Sequence, residues 1–576
     1  MSVSSNPLSG KTVHLARGLT ALIVLASVVG LLSIPLGVYD DSLMIVGARL
    51  LGAGKLPYVD FYTHYGPLGY TLIDGLSRLT RDPLLAMRIL QAALLAFVAV
   101  LVHVAVRRLS SVPNRSEIAA PLAVLALSGS AAFPSFLGLG FAVASLFAFV
   151  IARSLPFGRA MAIGTAGAGV LLAMAALSRP GFALYVGGAI LLTEAVLFIR
   201  WRADRSPIAG VLLLAGTVGS SLLLWFLLYP SLPLRSALQA GVLAPFRLHG
   251  SGSRYLEPGF LGLPLAGIAV GTAIAASVLV WTFFTPTRRM KILGVACSIA
   301  LGFFPVLYRL AWPGKPLAFF GFLVLTACLV SLWSARRSLR EDPALAAAAF
   351  MGMAAAALTH YLWTRFDGPH LLPSFGLAAC AAALCWPRMR RPGRLAVLGL
   401  FAVTYGVAAR NWAEPLLPLA RLSGDAFPVI ERGRLRWPFE ELPSDPARAV
   451  ALADSNADPG SRFVAVASSH ATSQGSPVML FALSSRLPYT KWFQYDPGVQ
   501  TSAPIQRSME RELLDSGSRS AVVWRANRFR FDRRREPVGA RSELDAFFDR
   551  LYPRVLARFG DFEVRERETP DREASR

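Results

Sequence analysis

The sequence predicts a polytopic α-helical membrane protein of about thirteen transmembrane helices, followed by a small exported α/β domain. Three observations carry this reading. Apolar residues make up 54% of the 576 positions and charged ones only 16%, whereas a soluble chain of that length needs far more polar surface. Up to about residue 411, apolar runs long enough to cross a ~30 Å hydrocarbon core recur between Arg, Pro or polar clusters, and beyond it an ordinary soluble composition begins. The basic clusters fall on alternate connections between those runs.

The runs place spans at 18–38, 84–106, 118–133, 136–152, 160–177, 182–199, 207–229, 260–284, 292–310, 316–334, 344–362, 371–386 and 395–411. Lys11 and Arg17 precede the first, and no small-residue cleavage site follows it, so it reads as a retained helix rather than a signal peptide. Arg107/Arg108/Arg115, Arg153/Arg159, Arg200/Arg202/Arg205, Arg288/Arg289/Lys291, Arg336/Arg337/Arg340 and Arg388/Arg390/Arg391/Arg394 then mark the cytoplasmic side. With residues 1–17 cytoplasmic, an odd number of spans exports the segment 412–576. Arg outnumbers Lys, of which there are five, as in GC-rich bacterial genomes, so the expected location is a bacterial inner membrane.

Charge divides the chain in the same way. Residues 412–576 hold 25 basic and 23 acidic side chains, leaving 33 basic and 12 acidic ones in the first 411. The excess behind a pI near 10.7 therefore fits membrane topology, not nucleic-acid binding. Cys297, Cys328, Cys380 and Cys385 all lie in predicted spans, where a free Cys acts as a small apolar residue. The exported segment has no cysteine and folds without disulfides. Within it RFVAVASS (462–469) and AVVWRA (521–526) read as buried strands, and IQRSMERELLDSG (505–517) as an amphipathic helix. SRLPYTKWFQYD (485–496) reads as a packed aromatic loop, and DFEVRERETPDREASR as a charged tail that frays at its end.

Five of the 12 acids before position 412 fall between 39 and 82, in the first exported loop: Asp40, Asp41, Asp60, Asp74 and Asp82. Acids so close to hydrocarbon are costly and are kept for a reason. Asp74 stands four residues before Arg78, the spacing of a helical ion pair. Asp82 precedes Pro83 and fits an N-cap with Pro at the first helical position. Asp40 or Asp41 can cap the helix SLMIVGARLLGAG, but one cap explains one of them. Asp60, in PYVDFYTHYGP, has no basic neighbour and can make an Asx-turn. An acid pair where the chain leaves the bilayer suits a general base acting on substrates that live in the membrane, since low dielectric and a like charge favour that chemistry.

The stretch YDDSLMIVGARLLGAGKLPYVDFYTHYGPLGY (39–70) resembles the first-loop signature of the GT-C glycosyltransferases, multi-spanning enzymes that use polyprenyl-phosphate sugars, among them protein O-mannosyltransferases and the lipid A aminoarabinose transferase. The shared pattern is an acidic pair after the first helix, an Ala/Gly-rich helix, G-x-x-P-Y-x-D-F and a Pro-containing aromatic turn. Asp40, Asp41, Gly54, Pro57, Tyr58, Asp60, Phe61, Pro67 and Tyr70 stand at those places. The resemblance implies a sugar transferase with Asp40 as catalytic base, Asp41 beside it and Asp60 in substrate binding. It also implies a lipid-phosphate-sugar donor, a glycan, lipid or protein acceptor, and in some relatives a divalent metal ion. Two features depart from the pattern: Asp41 stands where relatives often have Glu, and His64 has no counterpart.

A second constellation, WTRFDGPHLLPS (363–374), brings Arg365, Asp367 and His370 into six residues of a late exported loop. Asp367 either pairs with Arg365 as an interfacial anchor, or orients Arg365 and His370 toward a donor phosphate, which a guanidinium matches bidentately. Arg309 and Lys315 are further phosphate candidates that snorkelling explains equally well. Tyr255 and Glu257 are weaker candidates for an acceptor groove, and Glu194, near the cytoplasmic end of its span, is expected to snorkel. No His/Cys/carboxylate spacing fixes a metal site. A flippase or transporter would show paired repeats and mid-membrane charges, whereas the acids here gather at one surface. An O-antigen ligase or polymerase, which relies on Arg and His in a large late loop, is the other alternative.

Overall fold

A computed structural model of the chain describes residues 10–33, 40–63, 65–109, 119–131, 133–201, 206–237, 343–362, 368–385, 429–431, 434–436, 444–470, 477–494, 502–525 and 541–568. It divides into two compact units that do not follow chain order. One holds residues 1–34, 88–228 and 256–423, the other 35–87, 229–255 and 424–576.

The first unit is helical. Its described helices are α1 (Gly10–Ser33), α4 (Pro83–Leu109, from Arg88 onward), α5 (Ala119–Ala131), α6 (Phe136–Arg153), α7 (Arg159–Ser178), α8 (Pro180–Trp201), α9 (Ser206–Leu228), α11 (Pro343–Leu362) and α12 (Gly368–Cys385). Among the described residues four helices, Pro83–Leu109, Phe136–Arg153, Arg159–Ser178 and Ile208–Leu228, are long and apolar enough to cross a membrane, and three shorter apolar helices accompany them. Small residues let them pack closely. A Cβ on Gly169 of α7 would stand 2.8 Å from the Leu213 carbonyl of α9, and Ser145 Oγ of α6 donates to the Ala168 carbonyl of α7 at 2.7 Å. Inside hydrocarbon that contact satisfies a hydroxyl which would otherwise be costly.

The helix of the first expected span already begins at Gly10 and is described as far as Ser33, and residues 34–38 lie outside the described residues. One expectation is corrected here. Glu194 does not snorkel. It is buried and pairs with Arg153 of the neighbouring helix at 2.6 Å, since a partner already inside the bundle satisfies the carboxylate better than a stretched side chain. The expected spans at 260–284, 292–310, 316–334 and 395–411 lie outside the described residues.

The second unit joins the first predicted loop to the C-terminal segment. Its helices are α2 (Asp40–Gly52), α3 (Pro67–Thr80), the single turn α10 (Leu234–Ala237), α13 (Ser444–Ser455), α14 (Val478–Leu483), α15 (Ala503–Leu514) and α16 (Glu543–Leu551). A two-residue-linked hairpin pairs β1 (Val429–Glu431) with β2 (Arg434–Arg436). The main sheet has the order β3-β4-β6-β5, from β3 (Val464–Ala467), β4 (Ser520–Trp524), β5 (Arg554–Phe559) and β6 (Phe562–Glu566). β3 and β4 are parallel, with Val464 opposite Ala521. β6 is antiparallel to both of its neighbours.

Both predicted strands and the predicted helix are present. The supposed charged tail is corrected: its first residues are β6, an inner strand. Glu563 is buried there, ringed by Arg525 at 2.8 Å, Arg558 at 2.9 Å and Arg565 at 3.1 Å. Three guanidiniums offset the cost of burying one carboxylate, so a strand with charges in its pattern still lies inside a sheet.

A buried hub ties the sheet to α16. Asp545 accepts from the backbone N–H and ring Nδ1 of His470, at 3.0 and 2.6 Å. It also closes a capping box with Ser542 at the start of α16. Burial alone would raise the Asp545 carboxyl. The hydrogen bond and charge of His470, with the N–H groups of Ser542 and His470, outweigh it and hold the group below its ordinary range.

Candidate functional site

The first-loop acids open a helix. Asp40 and Asp41 are both in the first turn of α2, and Arg49 is in its last turn. Each charge lies at the end whose partial charge opposes it. Asp41 is only 5% exposed, while Asp40 is partly exposed. The helix is buried almost throughout from Ser42 to Ala48, and Gly47 lets the Tyr70 ring of α3 lie against it: a Cβ there would sit 2.3 Å from that ring.

The segment between α2 and α3 is a tight, aromatic turn. The Asp60 carboxylate accepts from the Leu56 N–H at 2.7 Å, and Tyr58 N donates to the Phe61 carbonyl at 2.8 Å. These bonds hold Tyr58 at φ 67°, a left-handed conformation that an aromatic residue rarely adopts and that costs about 1–3 kcal/mol. The Tyr58 hydroxyl donates to the Tyr65 carbonyl at 2.8 Å. The Tyr65 hydroxyl in turn donates to Asp40 Oδ1 at 3.4 Å. Burial first, then the neighbouring Tyr70 and Tyr229 phenols, push the Tyr58 phenol upward, so it remains a donor. Thr63 and Tyr70 share a 2.5 Å hydrogen bond, and Tyr229 shares another of 2.5 Å with Thr71.

The C-terminal part of the same unit grips this segment. Arg49 donates to the carbonyls of Phe481 at 3.1 Å, Ala482 at 3.4 Å and Arg486 at 3.3 Å. A cation thus lies at the C-terminal end of α14, where the helix dipole favours it. Desolvation lowers the Arg49 pKa, and the charge of Asp454 works the other way. Phe61 packs on Phe493 and Tyr62 on Trp492, with ring centroids 6.0 and 5.6 Å apart. Tyr62 N donates to the Lys491 carbonyl at 2.9 Å. The 485–496 segment is therefore a packed loop over its described part, and what it packs on is the aromatic turn.

The structure places Asp40 and Asp41 together in the first turn of α2 and Asp60 in the turn that follows that helix. Asp74 pairs with Arg78 at 2.7 Å. Asp82 caps α4, accepting from Leu84 and Leu85 N–H at 2.8 and 3.2 Å, and its carboxyl is raised by burial against those bonds. Arg309, Lys315, Arg365, Asp367 and His64 lie outside the described residues. His370 is placed only as backbone in the first turn of α12. Sequence reasoning missed Arg49 and the Tyr58–Tyr65 relay. Gly54 and Pro57 announce a turn, but a tyrosine at positive φ has no sequence signature. Among the described residues no three His, Cys, Asp or Glu side chains gather to hold a metal ion.

No family model and no curated protein sequence matches the chain. Among solved structures, it is similar to the Archaeoglobus fulgidus oligosaccharyltransferase tethered with an acceptor peptide containing the NVT sequon. The TM-score is 0.50 at 13% identity, over 88% of this chain and 69% of that one. AglB of the same organism, in complex with an inhibitory peptide and a dolichol-phosphate, aligns at 0.49 with 13% identity over 88% and 69%. ArnT from Cupriavidus metallidurans, bound to undecaprenyl phosphate, aligns at 0.44 with 16% identity over 96% and 98%. At its level of identity the first shows a shared fold and nothing finer, and the two below 0.5 add no weight. The chain thus shares a fold with that oligosaccharyltransferase.

Proposed function

We propose that the protein is a membrane glycosyltransferase that moves a sugar from a polyprenyl-phosphate-linked donor to an acceptor hydroxyl on the exported face, with Asp40 as general base. The observation that carries this is the pair Asp40–Asp41 at the head of α2, with the Tyr65 hydroxyl donating to Asp40. The shared oligosaccharyltransferase fold and the first-loop motif supply the reaction class. In this reading Asp40 takes the proton of the acceptor oxygen as that oxygen attacks the anomeric carbon, and the lipid phosphate leaves with the bonding electrons. Asp41 supports the base. Arg365 and His370, with Arg309 and Lys315 as further cations, hold the donor phosphate, and Asp60 shapes the turn beside the acceptor. The protein lies in a bacterial inner membrane with a cytoplasmic N-terminus and its C-terminal segment exported.

The test is mass spectrometry of envelope glycans and glycoproteins from a deletion strain, to find one missing sugar, followed by complementation at matched membrane abundance. Asp40→Asn is expected to lower sugar restoration by about 10²–10⁴-fold, the usual loss for a general base. Asp74→Asn, which breaks a surface ion pair worth about 0.3–0.5 kcal/mol, should restore the sugar nearly fully. Full restoration by Asp40→Asn and Asp41→Asn alike would sink the assignment.

A further inference from the structure

We infer that Tyr58 and Tyr65 are positioning residues for Asp40, joined in a relay that runs from a strained turn to the base. The inference rests on the reading of Asp40 as base, and geometry carries it. Tyr65 reaches Asp40 Oδ1 with its hydroxyl, and its own carbonyl is held by the Tyr58 hydroxyl. Its backbone N–H is fixed too, donating to Thr63 Oγ1 at 3.0 Å, and Thr63 is tied to Tyr70. Tyr65 is therefore held at both of its backbone polar groups while its phenol is aimed at the carboxylate. Tyr58 makes its bond from a left-handed backbone, where glycine is the residue that fits without strain. Gly54, four residues earlier, shows the ordinary solution at φ 79°. A tyrosine kept in such a conformation points to a job its side chain does. That job is to lock Tyr65, so that one carboxylate oxygen is oriented by a donor and the other faces the acceptor. Asp60 has a place in the same device, because its bond to Leu56 N–H closes the turn that holds Tyr58.

The experiment uses full-length protein in membranes, with the total lipid extract of the deletion strain, in which unconsumed donor accumulates, as the titrated donor. Tyr65→Phe is expected to lower kcat by about 10-fold, the weight of one hydrogen bond to a charged group, and Tyr58→Phe, whose bond is to a carbonyl, by about 3-fold. The apparent KM for the extract should stay unchanged, since the relay acts on the base and not on donor binding. Tyr58→Gly should lose the same activity as Tyr58→Phe while its Tm falls further, because the lost phenol and the freer unfolded chain outweigh the relieved strain. Wild-type kcat in Tyr65→Phe, with Asp40→Asn inactive, overturns the relay and leaves the base in place. A loss that appears in KM, or that tracks a fall in Tm across all three variants, also overturns it. Activity in Asp40→Asn removes both the base and the relay.

Discussion

Asp545 shows how much one side chain can hold. It caps α16, binds the backbone of His470 and pairs with its ring. Its folded pKa lies below the ordinary value of 3.8. A depressed carboxyl contributes stability that is complete above its unfolded value and is lost as pH falls through the folded one. The purified protein should therefore lose an increment of Tm below about pH 4 that Asp545→Asn does not lose. Parallel curves for the two would exclude the linkage. His470→Ala should cost at most about 3–5 kcal/mol, because the Ser542 and His470 N–H groups stay on the carboxylate. Residues of this kind divide cleanly by legibility. The Asp74–Arg78 pair and the Asp82 cap were readable because their partners lie two to four positions away. The His470–Asp545 pair spans 75 residues and left no trace in the sequence.

At the scale of elements, α2 is the part on which the site depends, and α14 holds it. Arg49 bridges three carbonyls at one helix end, which a lysine's compact ammonium does not reproduce. Arg49→Ala and Arg49→Lys are both expected to lower stability, by about 1.5–3 kcal/mol for Ala, and to lower turnover as α2 loosens. Thermal unfolding beside the sugar-restoration assay checks this. Unchanged Tm in Arg49→Ala would show that the aromatic contacts of Phe61 and Tyr62 hold α2 by themselves. Elements were legible where periodicity was simple: the apolar helices, the all-apolar β3 and the amphipathic α15 match expectation. β6 was not, because Glu563 breaks the alternation, and its burial is explained by guanidiniums that come mostly from elsewhere in the sequence, Arg525 after β4 and Arg558 of β5 beside Arg565 of β6 itself.

Over the whole molecule, hydropathy told where apolar helices lie but not which segments fold together. The chain reads as a membrane part followed by a soluble part. The compact units instead combine residues 35–87 with 424–576, because Arg49, Phe61 and Tyr62 find their partners among residues 481–493. Such pairings are invisible to any local pattern.

That union has a consequence in time. Arg49 and Phe481 are 432 residues apart, and at about 5–20 residues per second a ribosome needs roughly 20–90 s to travel between them. For that interval the acids of α2 exist without their clamp. The arrangement around α2 therefore cannot be completed until residues 481–493 have been made. A chain ended after residue 470 should accordingly insert yet expose 40–66 to added protease, while the full-length protein protects that stretch. Equal protection in both would mean that the loop matures on its own clock.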